Sequence, residues 1–108
     1  MQCPKCKGED LTPATVGGVT VDRCPQCAGI WFDARELPRV LRLDSSEVRP
    51  LRGGRPDAAR DEHAGKCPRD GGRMTRVNSA TNAEVVLETC LECQGIWLDG
   101  GELDALRR

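Results

Sequence analysis

The chain has 108 residues, a formal net charge of -1 and 31% charged residues, and its aromatics are two tryptophans and one phenylalanine. That composition excludes a large aromatic core; no apolar run approaches the roughly 18 residues of a membrane span, and no segment has the strongly basic balance of a nucleic-acid surface. A core this small needs a staple, and seven cysteines supply it.

In chain order, the first element is a knuckle, Cys3-Pro4-Lys5-Cys6. It stands too near the start for a signal peptide, and the cysteine count is odd. Metal ligation in a reducing compartment is therefore expected over a disulfide framework, and a cytoplasmic location with it. Residues 15–23 predict a β-hairpin, two β-rich runs around Gly17-Gly18. A second knuckle, Cys24-Pro25-Gln26-Cys27, leads into Gly29-Ile30-Trp31-Phe32-Asp33. Gly29 is expected at a turn of positive φ, and Trp31 as a cover over its own knuckle, packed on a closing helix. Asp33 and Glu36 have the spacing of a capping box, so one or two helical turns should follow. Val40, Leu41, Leu43 and Val48 predict a separate bridging helix over 38–48, opened by Pro38. From Arg49 to Gly65 almost nothing is apolar, and arginines alternate with acids, as in a solvated, flexible linker.

The remainder repeats the beginning. Cys67-Pro68-Arg69-Asp70 opens it, strands are predicted over 74–77 and 84–88 around a polar turn, and Cys90-Leu91-Glu92-Cys93-Gln94-Gly95-Ile96-Trp97-Leu98-Asp99 matches the second knuckle and its tail. Gly95, Trp97 and the pair Asp99/Glu102 take the same readings as their counterparts. The capping carboxylates carry no acid–base reading, because no nucleophile accompanies them.

The ligand pattern is the strongest signal. Cys3/Cys6 and Cys24/Cys27 are two C-x2-C pairs at zinc-ribbon spacing. Four thiolates close a tetrahedral shell and leave no position open for substrate, the mark of a structural site. In the second copy Cys67, Cys90 and Cys93 recur, but Asp70 stands in the place of Cys6. A carboxylate can ligate zinc, so Asp70 is the favoured fourth ligand. His63, four residues before Cys67, and a water are the rivals. Two Zn2+ ions are expected. The fold class is then a small metal-stapled α+β protein of two zinc ribbons, each a β-hairpin with two knuckles and a short C-terminal helix. The divisions are 1–37 for the first ribbon, 38–48 for the bridging helix, 49–65 for the linker and 66–108 for the second ribbon.

The knuckles together with the tail Gly-Ile-Trp-x-Asp-x-x-Glu-Leu resemble the bacterial transcription factor zinc-finger family, named for its likeness to the zinc ribbon of transcription factor IIB. The resemblance covers about 1–37 and 66–104. It implies a zinc-ribbon fold with Cys3, Cys6, Cys24 and Cys27 as ligands in the first copy and Cys67, Cys90 and Cys93 in the second.

For function, the leading expectation is a non-enzymatic interaction adaptor with a protein partner, no small-molecule substrate and no membrane. The next is a regulator binding nucleic acid or the transcription machinery, which the charge does not favour. A rubredoxin-like electron carrier ranks last, since three aromatics cannot build such a core and Asp70 spoils a four-sulfur iron site.

Overall fold

The structure, a computed structural model, describes residues 1–55, 57, 59 and 63–107. Strand β1 (Thr12–Val16) pairs antiparallel with β2 (Val19–Arg23), with Val16 opposite Val19, so Gly17 and Gly18 alone form the loop. Their φ values are 51° and 79°, the two-residue turn whose twist matches that of the strands. The hairpin starts three residues before the predicted 15–23, because Thr12 and Pro13 extend β1 along the sheet edge. An edge strand tolerates proline's missing donor.

Strand β3 (Ile30–Phe32) adds antiparallel to β2. In the second copy β4 (Thr75–Asn78) pairs with β5 (Val86–Thr89), and β6 (Ile96–Leu98) adds to β5. The two ribbons then join edge to edge. β3 and β6 pair antiparallel with Trp31 opposite Trp97, Ile30 opposite Leu98 and Phe32 opposite Ile96. The product is one six-stranded sheet in the order β1-β2-β3-β6-β5-β4. Equivalent residues of the repeat meet at its centre, so a pseudo-twofold axis passes between Trp31 and Trp97.

Successive side chains of a strand point to opposite faces, and the three-residue strands divide accordingly. Ile30, Phe32 and Leu98 join Val16, Val19, Val21, Leu37, Val40 and Leu103 in a core on the helix side. Trp31 and Trp97 face the other way, among all the knuckle cysteines, Leu11 and Met74. The tryptophans therefore turn their backs on the closing helices, contrary to expectation.

Helix α1 (Glu36–Leu41) is short and runs through Pro38, its third residue. The first four amides of a helix have no intrahelical partner, so a proline there loses nothing. The separate bridging helix over 38–48 is thus corrected to the end of α1, followed by turns and a 3-10 turn over Arg49–Leu51. Val48 and Leu51 are buried in the helix-side core. The linker reading fails at its start for the same reason, since Leu51 is a core residue and Arg52 pairs with Asp104 at 3.2 Å. Of the remaining linker reading, residues 56, 58 and 60–62 lie outside the described residues. Helix α2 (Glu102–Leu106) closes the second copy.

The capping boxes form by half. Glu36 accepts from the Asp33 amide at 2.7 Å, and Glu102 from the Asp99 amide at 2.7 Å. The aspartates, however, do not cap. Asp33 accepts the indole N–H of Trp31 at 3.0 Å and Asp99 that of Trp97 at 2.8 Å, as a buried indole donor requires.

Candidate metal centres

Each knuckle is a tight turn that aims backbone amides at sulfur. In the first, the Cys3 Sγ accepts from the amides of Lys5 at 3.4 Å and Cys6 at 3.2 Å. In the second, Cys24 accepts from the Cys27 amide at 3.4 Å and Cys27 from that of Gly29 at 3.4 Å. In the third, Cys67 accepts from the Arg69 amide at 3.4 Å. The left-handed residues of the second and fourth knuckles are Ala28 (φ 63°) and Gln94 (φ 65°), not the glycines after them. Gly29 and Gly95 are glycine for a different reason. A Cβ on Gly29 would lie 2.2 Å from the Trp97 ring, and one on Gly95 would lie 2.1 Å from the Trp31 ring. Each indole covers the knuckle of the other ribbon.

The sulfurs and one carboxylate converge into two groups. Ligand atoms of Cys3, Cys6, Cys24 and Cys27 all lie within 4.8 Å of one another, as do those of Cys67, Asp70, Cys90 and Cys93. Sγ of Cys3 is 3.8 Å from that of Cys27, and Sγ of Cys67 is 3.7 Å from that of Cys93. All seven cysteines are free. A disulfide needs about 2.05 Å, whereas a tetrahedron with zinc–sulfur bonds of about 2.3 Å has edges of about 3.8 Å. Donor chemistry and spacing both fit zinc, and the two clusters suit two zinc ions.

The two centres differ in their surroundings. The first four cysteines are all buried. In the second group Asp70 is exposed and Cys93 half-buried. One Asp70 oxygen accepts from the Gly72 amide at 2.8 Å, and the other lies 3.2 Å from Cys90 Sγ. The Gly72 amide, then the thiols, hold the Asp70 carboxyl below the usual carboxylate range. His63 is absent from the group; its carbonyl instead accepts from Lys5 Nζ at 2.7 Å.

Without metal the thiols share protons unevenly. A hydrogen bond from Cys3 pulls Cys27 down to about 5, and the same contact drives Cys3 far above the usual thiol range. Burial pushes Cys6 up to about 11 and Cys67 up to about 12. A divalent cation would replace those protons, so metal uptake releases them and is favoured by rising pH.

Ion pairs that the sequence reading missed tie the first and third knuckles to the other ribbon. Arg69 forms a two-pronged pair with Asp33, its Nη2 2.6 Å from Oδ2. Lys5, at the equivalent place, reaches Glu88 at 2.6 Å and Asp99 at 3.4 Å, all three nearly buried. Burial pushes the Asp99 carboxyl up to about 6, against the opposing pull of the Trp97 indole and Lys5. Asp33 moves the other way, held below the usual range by Arg69. The only sequence signal was the matched position of Lys5 and Arg69 inside two knuckles, which says nothing of their targets.

A family model for the transcription factor zinc-finger, a zinc ribbon of the TFIIB type, matches residues 2–43 and 66–108. No curated protein and no solved structure matches the chain. With both matched segments carrying the ligand groups just described, the chain belongs to the transcription factor zinc-finger family and holds two tandem copies of its zinc ribbon.

Proposed function

We propose that the protein is a zinc-stapled, non-enzymatic adaptor of a reducing cytoplasm. Cys3, Cys6, Cys24 and Cys27 would ligate one zinc ion, and Cys67, Asp70, Cys90 and Cys93 the other. The observation that carries the reading is that each centre already has four protein donors within 4.8 Å of one another. A zinc with four protein ligands offers no position for a substrate or an activated water. What the two staples supply is rigidity: one sheet holds both ribbons, so a partner would meet a preorganised surface and lose less entropy on binding.

The test is affinity capture on immobilised full-length protein loaded with zinc, using a lysate of the native cell. A defined partner retained by the loaded protein and lost with Cys24→Ser is the expected result. A mobility shift with mixed-sequence DNA or RNA that weakens steeply with salt would instead establish nucleic-acid binding. The family's description favours that second reading, and the complete burial of both tryptophans and Phe32 opposes it, because stacking needs an exposed ring. Red, iron-loaded protein from unsupplemented cells would replace both with electron transfer.

A further inference from the structure

Where the first and third knuckles approach across the pseudo-twofold axis, they leave an open cleft of about 760 Å³. Its floor is rigid. Pro4 and Pro68 come from the two knuckles, and a Cβ on Gly65 would lie 2.5 Å from Pro4, so the ribbons already touch there. The Gly65 amide donates to Glu88 at 2.7 Å, and its carbonyl accepts from Met74 at 3.0 Å.

The charges of this cleft are one-sided. Lys5, Lys7, Lys66 and Arg73 line it, and the lining contains no carboxylate among the described residues. Lys5 is neutralised by Glu88 and Asp99. Lys7, Lys66 and Arg73 are exposed and have no salt bridge among the described residues. Lys66 and Arg73 also stand directly opposite each other in an antiparallel bridge. Like charges so placed are destabilising. The equivalent bridge of the first copy joins Gln2 to Asp10, so the basic pair is no product of the repeat. In a chain of net charge -1, this is a local cluster of exposed cations with no salt bridge among the described residues.

We infer that this cleft is the docking site for an acidic peptide segment of the partner protein. The inference rests on the adaptor reading and supplies the chemistry of its partner. Carboxylates of an extended chain would answer Lys7, Lys66 and Arg73, while its apolar side chains would lie on Met1, Pro4 and Pro68. Phosphates could meet the cations too, but the cleft has no aromatic lining on which bases could stack.

The probe is a fluorescein-labelled peptide alternating glutamate and leucine, titrated by anisotropy into the zinc-loaded full chain. Saturable one-to-one binding is expected, and the glutamine version of the peptide should bind at least about tenfold more weakly. The double substitution Lys66→Glu with Arg73→Glu should weaken binding by at least about tenfold, because like charges then face each other across the contact. Arg42→Glu, on an exposed residue outside the cleft, should leave it unchanged. Native mass spectrometry showing two zinc ions in each variant confirms that the fold survives. Equal binding by the glutamine peptide, or no effect of the double substitution, overturns the assignment. So does a single-stranded oligonucleotide that displaces the peptide at lower concentration than unlabelled peptide does. If the double variant still retains the partner captured by the wild type, the adaptor reading stands and this cleft is not its site.

Discussion

Asp70 is the residue on which the two centres diverge. Its carboxylate is exposed and shared with the Gly72 amide, whereas the corresponding Cys6 is buried among other sulfurs. A harder, solvated donor in place of a thiolate should make the second ion the more easily lost. Asp70→Ala should weaken zinc binding at that centre by at least about tenfold, since even groups that only support a ligand are worth about 10–100-fold. Asp70→Cys should strengthen it. Competition against a zinc-chelating dye separates these cases, and an unchanged affinity in the alanine variant would remove Asp70 from the ligand set. The two indole-binding aspartates give a second residue-scale expectation. Carbon-detected NMR titration of the zinc-loaded protein should place the Asp99 midpoint near 6 and that of Asp33 below the usual carboxylate value. The raised Asp99 value favours the folded state while its proton is on. That contribution is complete below about 3.9 and is lost as pH rises through about 6. An Asp99 midpoint near 3.9 would mean that Lys5 and the indole fully offset burial.

Among the elements, the central pair β3 and β6 carries the most constraint. Three residues per strand send one indole to the metal side and two aliphatic or phenyl groups to the helix side. Because the indoles cross over, a glycine after the second and the fourth knuckle is a packing requirement imposed by the other ribbon. Gly95→Ala would put a methyl 2.1 Å from the Trp31 ring and should cost about 1–3 kcal/mol, the usual penalty of overpacking. Thermal denaturation at fixed zinc would show it, together with a changed Trp31 fluorescence. Gly71→Ala has open space for its methyl but sits at φ 77°, so it tests backbone strain without a clash. If Gly95→Ala proved harmless, the indole would not be seated where the structure has it.

At the scale of the molecule, the two ribbons behave as one body. The radius of gyration is 12.4 Å, against about 13 Å for a compact domain of this length, and the β3–β6 pairing joins the ribbons directly. The first ribbon cut out alone, residues 1–55, would expose Trp31 and the free edge of β3, the liability that paired sheets avoid. With zinc it should self-associate, one β3 pairing with another as β3 pairs with β6. Analytical ultracentrifugation should find a dimer for this fragment and a monomer for the full chain. A monomeric fragment with a buried indole would show that the pairing is incidental.

How much of this was legible follows from where the information sits. The knuckle spacing pointed to both groups of converging donors, since ligands with two residues between them are a local requirement of the turn. The glycine pair disclosed the first hairpin, and Ile-Trp-Phe read against Ile-Trp-Leu disclosed the repeat. The partners of Lys5 and Arg69, the crossing of the indoles and the burial of Leu51 were not legible. Each depends on residues far apart in the chain being brought alongside, with Asp33 lying 36 positions from Arg69 and Asp99 lying 94 positions from Lys5, and no local spacing encodes that.

By itself, then, the sequence determined what staples the protein: two sets of zinc donors, two hairpins and two closing helices, because coordination and turn chemistry act over a few residues. Only the tertiary structure decided that the copies fuse through β3 and β6 into one sheet, that each tryptophan guards the other copy's knuckle, and that a basic cleft opens between them. Edge pairing and desolvation of large side chains are settled by what the folded surfaces can bury against each other, and that is a property of the assembled pair of ribbons.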